Sequence, residues 1–200
     1  ATMLVAGVRQ LGLEGLPWSD GLREWQARVE SLRTWCPELG LPDCSAAGLL
    51  ASLDDWLLPF LDGKWRLSDL DGETFAEALR SRLDYTQRKQ LDEYAPRELT
   101  VPSGMTRKLS YQGDAPVLAV KLQELFGLAD TPRVAKGKVA IVLHLLSPAR
   151  NPIQVTQDLK GFWERTYPEV KKELKGRYPK HPWPDDPWTA TPTHRAKPRS

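Results

Sequence analysis

An α+β fold is predicted for this chain: an N-terminal helical bundle, then a small mixed or barrel-like β-sheet with inserted and terminal helices, then an extended Pro/aromatic tail. Three observations predict it. Up to residue 95, apolar residues recur at steps of three and four between capping residues. After Pro96 the pattern shifts to period two. From Gly176 to Trp188, prolines interleave with aromatic rings. The expected division is a helical accessory region over 1–95, an α+β domain over 96–176 and a docking tail over 177–200, disordered at its end.

Taking the elements in order, Ala1 to Leu13 lack a basic lead and a small-residue cleavage site, and read as the rest of an interrupted helix rather than a signal peptide. Ser19 suits the N-cap of a helix carrying Leu22, Trp25, Val29, Leu32 and Cys36, and Pro37 closes it. A second helix, from Asp43 or Ser45, places Leu49, Leu50, Leu53, Trp56, Leu57 and Phe60 on one broad face that must be buried. A third runs from about Asp71 to Leu83, and a fourth from Asp84 to Tyr94, ended by Pro96.

Beyond Pro96, Leu99–Val101 and Arg107–Tyr111 alternate around the turn residues Pro102, Ser103 and Gly104, which predicts a hairpin. Gly113 breaks the strand. Asp114 is then expected to cap a helix that starts near Pro116, carries Leu118, Leu122 and Leu125, and stops at Gly127. Arg133–Ala135 and Val139–Leu146 flank Lys136-Gly137 as a second hairpin whose long arm, apolar on both faces, is a central strand. Ile153–Thr156 is a last strand, leading into a helix from about Asp158. Thr166 and Glu169 stand three apart as a capping box around Pro168, so a new helix is expected there, running to Gly176.

The tail cannot continue a helix or fill a sheet, because proline lacks the backbone donor both need. Its rings are too apolar for a free end, so Tyr178, His181, Trp183 and Trp188 are expected to dock on the body, with Thr189 to Ser200 disordered beyond them.

Composition narrows the function classes. The net charge of +2 conceals an asymmetry: residues 1–100 hold 11 Lys+Arg against 17 Asp+Glu, a net of −6, whereas residues 101–200 hold 17 against 9, a net of +8. Such a split suggests that the later half faces an anionic partner and the earlier half faces protein. No apolar run reaches the length a bilayer demands, which excludes a membrane partner on this reading and places the chain in the cytoplasm. Cys36 and Cys44 are too far apart for a CxxC pair, so free thiols are expected, and the scattered His144, His181 and His194 suggest no metal site.

Catalysis finds no support. A phosphate loop needs G-x-x-x-x-G-K-[ST], whereas Gly63-Lys64 and Gly137-Lys138 are isolated and followed by Trp65 and Val139. The adjacent carboxylates Asp54-Asp55 and Asp185-Asp186 cannot flank one bond, and Ser103, His144 and Asp114 lack the elbow a nucleophilic serine requires. Catalytic, cofactor-binding and metal residues are therefore all assigned as none. Trp18, Trp25, Trp35, Trp56 and Trp65 are assigned to core packing.

The nucleic-acid candidates are basic. Arg165, Lys171, Lys172, Lys175 and Arg177 gather on the terminal helices, and Lys180 extends them beside Tyr178, His181 and Trp183, whose rings suit either stacking on unpaired bases or closing the core. On the hairpin, Arg107, Lys108 and Tyr111 mix charge with a ring, although alternation puts Lys108 on the opposite face from the other two.

The tail, together with Leu118-Ala119-Val120-Lys121-Leu122-Gln123-Glu124-Leu125-Phe126-Gly127 and His144-Leu145-Leu146-Ser147-Pro148-Ala149-Arg150, resembles the C-terminal region of the HrpB family of bacterial DEAH-box ATP-dependent helicases. The resemblance covers roughly the whole chain and is tightest from Leu99 to Thr191. It implies a non-catalytic piece of a larger motor protein, whose ATP and magnesium belong to domains outside this chain. Its implied partners are the motor domains of the same polypeptide and nucleic acid, with RNA expected. The competing expectation is a protein-interaction module that positions or dimerises the motor through its acidic half and aromatic tail.

Overall fold

The computed structural model describes residues 1–197, and its chain forms two compact units, Ala1–Ala95 and Pro96–Ser200. The first unit is helical: α1 (Thr2–Leu11), α2 (Asp20–Trp35), α3 (Ala46–Ala51), α4 (Leu53–Trp56), α5 (Gly72–Arg80) and α6 (Tyr85–Tyr94). Local side chains start these helices. Ser19, Ser45, Asp71 and Asp84 each accept from the backbone N–H three residues on, satisfying a donor that the helix itself leaves open. Asp84 and Gln87 complete a reciprocal capping box.

The core of this unit is the apolar stripe of α2, with Leu22, Trp25, Val29 and Leu32 buried, packed with Leu49, Leu53, Trp56, Phe75 and Leu79. Trp18 meets Phe75 edge-on at 5.1 Å. Arg28 is 4 % exposed, and it donates to the Ala95 carbonyl at 2.9 Å and to Asp92 at 3.0 Å. A buried guanidinium is tolerated only with such partners, so it fixes α2 against the end of α6. Cys36 and Cys44 are buried and form no disulfide, and burial pushes the Cys44 thiol up to about 12.

Two expectations change here. The helix predicted from Asp43 or Ser45 to Phe60 is segmented into α3, α4 and a 3₁₀ turn, Leu58–Phe60. The Ser52 hydroxyl bonds back to the Gly48 carbonyl, competing with the helix ladder, and Pro59 removes a donor further on. Trp65 is no core residue: it is 89 % exposed on the loop after Leu61.

The second unit contains β1 (Glu98–Thr100), β2 (Thr106–Ser110), β3 (Val117–Lys121), β4 (Arg133–Val134), β5 (Val139–Ala140), β6 (Val142–Leu146) and β7 (Pro152–Thr156). A five-stranded mixed sheet is ordered β1-β2-β3-β6-β7, with β3 and β6 parallel and the other pairs antiparallel, and β4-β5 forms a separate hairpin.

The helix predicted from Pro116 to Gly127 is instead β3 followed by a 3₁₀ turn, Leu122–Leu125. Leu118 and Val120 pair with Leu143 and Leu145 and are buried with them, so a parallel partner distant in sequence overrode a helical spacing of leucines. The arm predicted over Val139–Leu146 divides at Ile141 between two sheets, and only β6 is central.

After β7 come α7 (Leu159–Gly161), a π-helical turn (Phe162–Thr166) and α8 (Tyr167–Arg177). The predicted capping box is not formed, since Thr166 makes no side-chain cap. Pro168 is accommodated instead by a wide turn, in which Tyr167 N–H donates to the Phe162 carbonyl, and the helix continues through it. The turn carries Trp163, which stacks among Phe126 and Tyr167 at 5.9 and 5.3 Å and donates its indole N–H to the Leu128 carbonyl.

Candidate nucleic-acid interface

On the hairpin, alternation turns Arg107, Leu109 and Tyr111 inward and leaves Lys108 exposed. Tyr111 is 2 % exposed and its hydroxyl donates to the Pro96 carbonyl, so its ring offers no stacking face. Arg107 donates to Glu124 at 2.8 Å, and Glu124, itself 1 % exposed, also accepts from the Ser103 hydroxyl and the Lys121 N–H. This buried carboxylate explains the hairpin's arginine as a structural partner.

The charges of α8 and the preceding turn are largely compensated. Arg165 pairs with Asp158 at 3.0 Å, Lys171 with Asp185, Lys172 with Glu169 at 3.6 Å and Arg177 with Glu173 at 3.7 Å. With Lys175 and Glu164 included, five cations stand among five carboxylates. Each exposed pair is weak, but the acidic members remain on the surface and oppose an incoming phosphate. A groove of about 330 Å³ opens between α8 and the tail, walled by Trp163, Tyr167, Pro168 and Trp188 and rimmed by Lys171 and Asp185.

The tail is a strap. It leaves α8 at Tyr178, whose hydroxyl lies 3.4 Å from that of Ser147, a bond that holds the phenol below its ordinary pKa. Trp183 is 8 % exposed and donates to the Tyr178 carbonyl. The Pro184 carbonyl accepts from the Tyr167 hydroxyl at 2.7 Å, and the Pro187 carbonyl accepts from Gly127 N–H at 2.7 Å. Gly127 has φ +90°, and a Cβ there would lie 3.4 Å from the Ala190 carbonyl oxygen, so the strap's path and this glycine imply each other. Trp188 lies farther out, 38 % exposed at the edge of the groove.

The end of the strap was expected to be disordered from Thr189. Through Lys197 it is instead bonded to the body, while residues 198–200 lie outside the described residues. Thr193 N–H donates to the Gln123 carbonyl, Gln123 Nε2 to the Arg195 carbonyl, and Lys121 Nζ to the His194 carbonyl at 3.4 Å. Lys197 N–H then donates to the Lys180 carbonyl at 2.7 Å, closing the strap on its own beginning. This closure gathers Lys121, Lys180, Arg195 and Lys197, of which only Lys180 stood out in the sequence. The signal for the others was their basic character alone. His181 lies among them, and burial, then the neighbouring Lys121 charge, push its imidazole pKa down.

Neither Gly-Lys pair fits an ATP-magnesium site. Gly137-Lys138 lies in the turn of the β4-β5 hairpin, and Gly63-Lys64 lies in the loop before a 3₁₀ turn, so neither opens a helix onto phosphates. Among the described residues no helix is long and apolar enough to cross a membrane, and no cluster of three or more His, Cys, Asp or Glu could hold a metal.

Comparison with known proteins matches residues 56–187 to the family model described as the ATP-dependent helicase HrpB C-terminal domain. The chain is 43 % identical over 195 residues to the ATP-dependent RNA helicase HrpB of Escherichia coli (strain K12), covering 97 % of this chain and 24 % of that protein. It is similar to a crystal structure of the E. coli DExH-box NTPase HrpB, with TM-score 0.90 at 43 % identity over 96 % of this chain and 24 % of the other. A second crystal structure, of the E. coli DEAH/RHA helicase HrpB, aligns with TM-score 0.75 at 40 % identity over 90 % and 23 %. The chain thus spans about a quarter of the length of the relatives it matches.

Proposed function

The chain belongs to the HrpB helicase family as its C-terminal domain, and from that premise we propose that it is a non-catalytic accessory module that packs on a helicase motor and helps to bind nucleic acid. The motor is the rest of a longer polypeptide, which binds ATP and magnesium, hydrolyses ATP and works on RNA in the cytoplasm. The observation that carries the nucleic-acid part is the charge of residues 101–200, with 17 Lys+Arg against 9 Asp+Glu, since phosphate contacts dominate non-specific affinity. Lys108 and Lys180 carry exposed heads on that half with no ion pair among the described residues, which sets them apart from the largely compensated charges of α8.

The test is the binding of a short labelled oligouridylate by the purified chain, titrated with salt. Binding that weakens steeply as salt rises supports the reading, and no binding at low salt overturns it.

A second reading, in which the module positions the motor through protein contacts alone, has its own observation. Trp65 is 89 % exposed between Lys64 and Arg66, on a loop held by Asp69, which accepts from the N–H groups of both Trp65 and Arg66. An exposed indole on a rigid loop of an acidic unit suits a protein anchor.

A further inference from the structure

We propose that the strap closure, formed by Lys121, Lys180, Arg195 and Lys197, is a phosphate-binding site through which the domain holds the backbone of single-stranded nucleic acid. This rests on the nucleic-acid reading above and assigns it to a place that helix α8 does not occupy.

Four cations are drawn together by hydrogen bonds to carbonyls of the strap: Lys197 N–H to the Lys180 carbonyl at 2.7 Å, Lys121 Nζ to the His194 carbonyl at 3.4 Å, and Gln123 Nε2 to the Arg195 carbonyl at 3.2 Å. These bonds use main-chain groups of the strap, so the side chains of Lys180, Arg195 and Lys197 remain exposed. Among the described residues none of the four has an ion pair within 4.0 Å. The nearest carboxylate in sequence, Glu124, is buried and neutralised by Arg107 at 2.8 Å.

Bringing like charges together costs free energy, and a fold retains that cost most readily where an anion relieves it. The contrast with α8 and the turn before it is direct, because there Arg165, Lys171, Lys172 and Arg177 each have a carboxylate beside them and Lys175 alone has none within 4.0 Å among the described residues. Beneath the closure, Gln123 Oε1 and His181 Nδ1 are buried without a partner, so the junction also has polar capacity that the fold leaves unused. The imidazoles of His181 and His194 and the guanidinium of Arg195, which donates to His194 Nε2 at 3.1 Å, add planar groups beside the cations. Backbone phosphates with splayed bases suit such a surface better than a duplex groove does.

The experiment uses the chain itself and a short fluorescein-labelled oligouridylate, with Lys180→Ala/Arg195→Ala/Lys197→Ala compared against Lys172→Ala/Lys175→Ala on α8. All five side chains are exposed, and near-ultraviolet dichroism of the buried tryptophans verifies that each variant keeps its packing. Four phosphate contacts predict that wild-type affinity falls about 50-fold between about 50 and 200 mM salt. The closure variant is expected to bind about tenfold more weakly or worse at low salt, with the log-log salt slope falling from about −3 to about −1. The α8 variant is expected to stay within about twofold of wild type. If wild type binds and the closure variant matches it, or the α8 variant weakens as much, the closure assignment is wrong while the nucleic-acid reading survives. If wild type fails to bind at low salt, both fall.

Discussion

The two units are held together by different kinds of information. In Ala1–Ala95 each of α2, α3, α5 and α6 begins at a serine or aspartate whose side chain caps it within three residues, and the buried faces follow helical spacing. In Pro96–Ser200 the decisive bonds join residues far apart in sequence: Val120 with Leu145 across β3 and β6, Tyr167 with Pro184, Gly127 with Pro187 and Gln123 with Thr193. A unit of the first kind tolerates the loss of one signal. A unit of the second kind loses several elements with one segment.

Ending the chain after Arg177 tests the difference between the units most severely. Removing the strap uncovers Phe126 and Tyr167 and leaves the Gly127 N–H without its acceptor, so amide protection in β3 and β6 is expected to collapse while that of α2 persists. Hydrogen exchange read by mass spectrometry reports both units in one measurement, and persistent protection of β3 and β6 would refute the strap's role. Next in size, Trp183→Ala removes a buried indole that donates to the Tyr178 carbonyl, and about 3–5 kcal/mol of stability should be lost.

Ser19→Ala acts on the first unit, where one cap among several is lost, and about 1 kcal/mol is expected in denaturant titration. A loss as large as that of Trp183→Ala would erase the distinction. Smallest is Trp65→Ala: with the ring 89 % exposed, stability should move by less than about 0.5 kcal/mol. A large loss there would restore Trp65 to the core packing expected of it together with the other tryptophans.

The pattern of legibility follows the same division. Ser19, Asp71, Asp84 and the hairpin turn of Pro102-Ser103-Gly104 were readable because their partners lie within a few residues. Leu118, Leu122 and Leu125 were misread as a helix because three leucines at steps of four and three fit that period, while the strand that claims Leu118 is β6, beyond an intervening hairpin. Thr166 and Glu169 have the spacing of a capping box, yet burial of Trp163 and Tyr167 on one face favoured a continuous helix with a π turn. The candidate basic residues were visible as residues. Whether each cation has a carboxylate beside it was not, because Asp185 reaches back to Lys171 and Lys197 reaches back to Lys180 only through the path of the strap.

From its letters alone, then, the chain specified the α+β class, the caps of the first unit and a likeness to the HrpB family. These depend on covalent neighbours, on composition and on recurring short motifs. Tertiary structure alone decided which strand claims Val117–Lys121, that Tyr111 turns inward, that Trp65 stands out in solvent and that four cations meet where the strap closes. Burial and electrostatic compensation are properties of groups brought together from distant positions, and local spacing carries no record of those meetings.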